Sequence, residues 1–186
     1  MTISLQKGGR VNLTKSEPAL KKIYIGLGWD IQPGSSLDLD ASVFMLNANG
    51  KLPQDEFFIF YNNLKSPDGA VQHTGDNRTG IGEGDDELIM AHLGLLDGRI
   101  AEILVTVTMH EGVNKNQTFG MVHNAYIRLV DVDSNREILR YDLEHTYPTA
   151  TEVEFGRLQK EAGEWHFVAS GIGTKIGLQA YVDKYA

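Results

Sequence analysis

The sequence predicts a mainly β protein, an antiparallel β-sandwich with a short C-terminal helix. Short runs of β-branched and aromatic residues recur along the chain, and Gly, Pro, Asn and Asp separate them. Helical spacing occurs only near the C-terminus. The chain has 186 residues and no Pro/Ser-rich linker divides it, so we expect a single domain over residues 1–186.

Nine strands and one helix are predicted in detail. The clearest strand is Arg99–Met109, whose alternation places Ile103, Val105, Val107 and Met109 on one face. The helix is predicted over Lys175–Tyr185, where apolar side chains share one side. The remaining predicted strands are Lys22–Asp30, Leu37–Asn47, Glu56–Asn63, Leu88–Leu93, Ala125–Val132, Glu137–Leu143, Glu152–Gln159 and Trp165–Ser170.

Composition excludes several classes of function. The chain has no cysteine, which excludes disulfides, thiolate catalysis and cysteine-based zinc sites. Its net charge of −8 disfavours nucleic acid as a partner and favours cations. The N-terminus lacks the apolar core of a signal peptide, and no apolar run approaches the roughly 20 residues needed to span a bilayer. We therefore expect a cytoplasmic protein without direct membrane insertion.

An acidic, glycine-rich loop over Gly75–Glu87 is the first candidate site. It holds five acids and four glycines. Two carboxylates about 5 Å apart repel by roughly 3 kcal/mol at an effective dielectric constant near 20, and a divalent cation removes that cost. The glycines allow backbone carbonyls to face an ion as well. Carboxylate and carbonyl oxygens are the donors that calcium prefers, whereas the alternative for the loop alone is a solvated acidic turn.

A second acidic patch strengthens the calcium prediction. Alternation along Leu37–Ser42 puts Asp38 and Asp40 on one face of a strand that otherwise looks buried, and Asp30 ends the preceding strand. If the fold brings these strands near the loop, one polar cage results, with more acids than one calcium shell needs. The predicted calcium ligands are Asp30, Asp38, Asp40, Asp76, Asn77, Gly80, Gly82, Asp85, Asp86 and Glu87.

Other motifs in the sequence give weaker indications of function. Asp131–Asn135 begins like an EF-hand loop, but Arg136 stands where glycine is required, so a hairpin turn is predicted. No Gly-x-Ser-x-Gly elbow is present, and we predict no catalytic residue. Two alternatives stay open. One is a calcium-dependent lectin-like module, although no aromatic residue lies in the acidic loop. The other is a hydrolase using Asp85 and Glu87, although its acids are crowded and polar.

Taken together, the motifs make the chain similar to the TerD family of tellurium-resistance and bacterial stress proteins. The resemblance covers nearly the whole chain. It implies a β-sandwich that binds two calcium ions between the acidic segments. It also implies a non-catalytic regulator or scaffold of the tellurite and general stress response, with protein partners in an assembly near the inner membrane. The matching segments are Lys7–Gly9, Leu13–Lys15, Gly26–Asp30, Asp38–Ser42, Phe60–Asn63, Ser66–Gly69, Gly75–Glu87, Gln117–Gly120, Arg140–Leu143 and Gly163–Trp165.

Overall fold

The computed structural model describes residues 1–31, 37–76, 84–143 and 147–186, apart from the side chains of Ile31, Gly75 and Asp76. It contains two six-stranded sheets packed as a sandwich and a short C-terminal helix, which confirms the predicted fold class. The elements are β1 (Ile3–Leu5), β2 (Arg10–Asn12), α1 (Leu13–Ser16), β3 (Lys22–Ile31), β4 (Leu39–Asn47), β5 (Phe58–Ile59), β6 (Val71–Asp76), β7 (Glu87–His92), β8 (Ile100–Met109), β9 (Val122–Asp131), β10 (Arg136–Asp142), β11 (Glu152–Glu161), β12 (Glu164–Thr174) and α2 (Leu178–Tyr185).

The direction of one strand differs from that expected in a purely antiparallel sandwich. The first sheet runs β1-β10-β9-β3-β7-β6 and the second runs β2-β12-β11-β8-β4-β5. Strand β1 pairs with β10 in parallel, so the first sheet is mixed. A hairpin forces two strands to be antiparallel, but β1 comes from the start of the chain and joins the sheet edge without a hairpin.

The core lies between the two sheets. Ile23 and Ile25 of β3 belong to the same cluster of buried side chains as Ile103 and Val107 of β8. Burying one such side chain fully contributes about 1.5–3 kcal/mol, and this burial fixes the register of each strand. The buried face predicted for β8 is confirmed.

Helix α2 covers part of the outer face of the second sheet. Its Tyr185 ring lies 5.1 Å from the ring of Phe44, and its Tyr181 ring lies 6.2 Å from the same ring. Leu104 and Thr106, on the outer face of β8, are consequently buried as well. In the described residues, neither helix has the length and apolar character needed to cross a membrane.

Some local predictions were wrong. The predicted strand Glu56–Asn63 is reduced to β5, because the Asn63 amide donates to the carbonyls of Glu56 and Phe58 and turns the chain back. Strand β6 was not predicted and extends into the segment assigned to the acidic loop. Strands β1 and β2 and helix α1 were also missed, since three or four residues give too little periodicity to detect.

The hairpin between β9 and β10 confirms the interpretation of the EF-hand-like motif. Asp131 accepts hydrogen bonds from the Asp133 backbone N–H and the Ser134 hydroxyl, and Asn135 takes a left-handed conformation at φ 52°. These are the bonds of a local turn, in which an aspartate side chain binds the next residues of its own chain.

Candidate metal site

The predicted carboxylates come from strands that meet at one end of the sandwich. Asp30 lies near the end of β3, and Asp38 and Asp40 lie at the start of β4. Asp86 and Glu87 lie at the start of β7. The charges of Asp38 and Glu87 act on Asp40, and those of Asp30 and Glu87 act on Asp86. The charge of Glu87 therefore acts on a member of each acidic patch.

Asp40 shows the electrostatic cost of this crowding. Burial raises the pKa of its carboxyl group above the ordinary value, and the neighbouring Asp38 and Glu87 carboxylates raise it further. The imidazoles of His110 and His73 offset part of this rise. His73 Nε2 also lies 3.0 Å from Glu87 Oε2, and both side chains are largely buried. Neither histidine is among the predicted ligands.

Asp86 is held firmly by the end of β3. Its backbone N–H donates to the Leu27 carbonyl at 2.7 Å, and its Oδ2 accepts from the Trp29 N–H at 2.7 Å. Burial raises the pKa of the Asp86 carboxyl group, the bond from Trp29 lowers it, and the Asp30 charge raises it. The Asp30 carboxylate accepts from the Asn124 amide at 2.8 Å.

Asp85, one of the predicted ligands, has a charge that is already paired with an arginine. Arg128 Nε lies 2.9 Å from Asp85 Oδ1, and Arg128 Nη2 lies 2.9 Å from Oδ2. The Tyr126 hydroxyl donates to Oδ1 at 2.7 Å. Only 1% of the Asp85 side chain is exposed. A calcium ion bound to these oxygens would lie next to a guanidinium, which repels it.

Two glycines of β3 make room for this arrangement. Gly26 pairs with Arg128, and Gly28 pairs with Tyr126, across β3 and β9. A Cβ on Gly26 would overlap the Asp85 carboxylate, and a Cβ on Gly28 would overlap the Tyr126 ring. Sequence reasoning missed Arg128 and Tyr126. The available signal was the pair of alternate glycines on a buried strand, which marks close approach of another group.

The remaining predicted ligands are described in part or not at all. Asp76 ends β6 and pairs with Glu87. Asn77, Gly80 and Gly82 lie outside the described residues. Among the side chains that the structure does describe, no three His, Asp or Glu residues are arranged so that they could hold a metal ion by themselves. A complete ion shell would therefore need donors beyond the described side chains.

A comparison with protein families identifies the chain. The TerD domain model matches residues 1–185. The chain belongs to the TerD domain family. It is 48% identical over 187 residues to the tellurium resistance protein TerD of an Alcaligenes species, covering all of this chain and 97% of that one. It is 44% identical over 188 residues to general stress protein 16U of Bacillus subtilis, covering all of this chain and 97% of that one.

Solved structures agree on the fold. A homologue of telluride resistance protein (TerD) from Streptomyces coelicolor A3(2) superimposes with a TM-score of 0.66 at 24% sequence identity. The superposition covers 88% of this chain and 96% of that chain. At this level of identity, the likeness concerns the TerD fold and not the chemistry of the acidic end.

Proposed function

We propose that this TerD-family protein binds calcium at the acidic end of its sandwich and acts as a non-catalytic regulator or scaffold. The observation that carries the proposal is the crowding of Asp30, Asp38, Asp40, Asp86 and Glu87 at one end of the fold. Burial and mutual repulsion raise the pKa of Asp40 and of Asp86. Keeping such a cluster of carboxylates ionised costs free energy unless a cation binds to it.

The donor chemistry favours calcium over other metals. The crowded side chains offer carboxylate oxygens, and the chain has no cysteine to offer a soft thiolate. Calcium takes 6–8 oxygen ligands in irregular geometry and accepts backbone carbonyls. We assign the ion donors to the five crowded carboxylates, completed by Asp76, Asn77 and the carbonyls of Gly80 and Gly82. We assign Asp85 the task of anchoring the loop through Arg128.

Two observations support a role without catalysis. Asp85, the residue that a hydrolase would use together with Glu87, is buried and held by Arg128 and Tyr126, so its side chain is not free to contact a substrate. The similar proteins from Alcaligenes and Bacillus subtilis carry the names tellurium resistance protein and general stress protein. These names support a role in the tellurite and general stress response. We propose in addition that the protein acts in the cytoplasm through calcium-dependent contacts with partners near the inner membrane.

Calorimetric titration of chelator-treated protein tests the ion site. Calcium should bind with measurable heat, and Asp38→Asn and Asp86→Asn should each weaken binding strongly. Asp133→Asn is the matched control, because it makes the same charge change in the exposed turn between β9 and β10. The site is misplaced if the control weakens binding as much as the other two variants, and the absence of any heat rejects calcium binding.

The regulatory role requires a separate experiment. Tagged protein should capture a different set of partners from a bacterial extract in calcium than in chelator. The same partners in both conditions, combined with calorimetric evidence of calcium binding, would leave the ion site intact and reject calcium-dependent regulation.

A further inference from the structure

A pocket of about 230 Å³ opens on the outer face of the second sheet, next to the start of α2. Its floor includes Asp40, Thr108 and Glu152, which lie side by side on β4, β8 and β11. Because these residues are direct partners across neighbouring strands, their side chains point to the same face. Two strand spacings, about 10 Å, separate the two acidic positions.

Glu152 brings a buried negative charge to this floor. The residue is only 1% exposed. Its carboxylate accepts hydrogen bonds from the hydroxyls of Thr151 and Thr174 and from the backbone N–H groups of Ile176 and Gly177. All four donors are neutral groups. They satisfy the oxygens without supplying a full countercharge, so a cation in the adjacent pocket would be stabilised.

Apolar and aromatic side chains line part of the pocket, beside the polar residues His110, Glu111 and Asn114. Tyr61 and Val113 line it, and each is 51% exposed. Ile176, beside the pocket-lining Gly177, is 50% exposed, so the apolar surface extends past the pocket. The Tyr61 ring meets the Phe60 ring edge-on, with centroids 5.1 Å apart, and Phe60 stacks on Phe58 at 4.5 Å. This stacking holds the exposed tyrosine in place.

We propose that this pocket binds a basic side chain, arginine or lysine, from an apolar segment of a partner protein. The cationic head lies over the Asp40–Thr108–Glu152 row, and the stem lies against Tyr61 and Val113. Carboxylates and an aromatic face together form the usual environment for an organic cation. Glu111 at the rim already pairs with Lys115 at 3.1 Å, so the charge complementarity is assigned to Asp40 and Glu152.

The exposed apolar rim favours a protein segment over a free amine. A small amine would fill only the charged floor and leave Tyr61, Val113 and Ile176 in water. A basic residue flanked by apolar residues covers both parts, which is how an anchor side chain and its surrounding contacts share a docking surface. The protein's net charge of −8 would also speed the approach of a basic partner.

The test uses N-acetyl-arginine methylamide as probe, with the citrulline analogue as its neutral match. Both are titrated into the full chain by NMR at about pH 8, above the ordinary histidine pKa. The buffer contains chelator, so the result does not depend on calcium. The arginine probe should shift the resonances of Gly177 and Thr108, and the citrulline probe should bind at least about fivefold more weakly.

Variants locate the probe. Asp40→Asn should weaken arginine binding about tenfold or more, as expected for loss of a charged hydrogen bond. Tyr61→Leu should weaken it about 2–5-fold, and Tyr61→Phe, which keeps the aromatic face, should not. Asp133→Asn serves as the distant control. A thermal melt of each variant excludes unfolding as the cause.

Three results would overturn the proposal. Equal binding of citrulline and arginine would indicate a neutral ligand, such as a sugar. Shifts confined to Asp86 and Glu87 would place the probe at the acidic end. If Asp133→Asn and Asp40→Asn weaken binding of the arginine probe equally, the effect comes from the overall charge of the protein and not from the pocket. Asp40 is also assigned to the proposed ion site, so calcium should compete with the arginine probe for this carboxylate. Chelator keeps the two ligands apart in this test, and calorimetry measures calcium binding separately.

Discussion

Replacing Arg128 with methionine should destabilise the protein severely, because it leaves the buried Asp85 carboxylate without its countercharge. Arg128 makes three hydrogen bonds to Asp85, at 2.9, 2.9 and 3.1 Å, and also pairs with Glu137 at 3.2 Å. The Arg128 side chain is 15% exposed and that of Asp85 is 1% exposed, so water cannot replace the lost bonds. Methionine keeps most of the apolar stem of the arginine.

The expected loss follows from these contacts. Removing one partner of a buried ion pair costs about 3–5 kcal/mol. Because the Tyr126 hydroxyl still donates a hydrogen bond to the Asp85 carboxylate, we expect a loss of stability at the lower end of this range, about 3 kcal/mol. For a chain of this size, that loss lowers the melting temperature by about 6–12 °C. Asp86 and Glu87 follow Asp85 directly, so calcium affinity should fall as well.

Urea unfolding in chelator, monitored by tryptophan fluorescence, measures the change in the free energy of unfolding. Adding Asp85→Asn to Arg128→Met should recover part of the stability, because the unpaired charge is gone and only neutral hydrogen bonds are missing. The control is Arg10→Met, which removes an exposed ion pair with Glu161 and should leave the unfolding midpoint nearly unchanged. A loss below about 0.5 kcal/mol for Arg128→Met, within the range of ordinary surface substitutions, would refute the anchoring role.

Three further predictions concern the ion and the strand beneath it. Calorimetry of chelator-treated protein should give two calcium ions per chain; a single ion would show that the two acidic patches form one site. At a hundredfold excess over the dissociation constant, each calcium ion should stabilise the fold by about 2.7 kcal/mol. That is a rise in melting temperature of about 5–11 °C per site, whereas magnesium should give much less; equal shifts in a thermal melt would indicate charge screening. Gly26→Ala should cost about 1–3 kcal/mol, because the new Cβ meets the Asp85 carboxylate. Gly98→Ala is its control, since no atom outside the adjacent residues lies within 4 Å of its new Cβ; equal urea midpoints for the two variants would contradict the close fit.

Much of the fold could be predicted because burial imposes a period of two on a strand. The buried face of β8 and the hairpin at Asp131–Asn135 were both read from local pattern alone. Strands of three residues escaped detection, since β1 and β2 are too short to repeat a pattern. The parallel pairing of β1 with β10 joins segments more than a hundred residues apart, which no local pattern specifies.

By itself, the sequence determined the β-sandwich, the acidic segments and the absence of cysteine chemistry, because residue type and alternation are local properties. Only the tertiary structure decided which acids share one environment. It placed Asp85 against Arg128 and left Asp86 among other carboxylates, although the two are neighbours in the chain. Adjacent residues at a turn point in different directions, so their partners depend on which distant strands pack there. The row of Asp40, Thr108 and Glu152 is likewise a product of register across three strands.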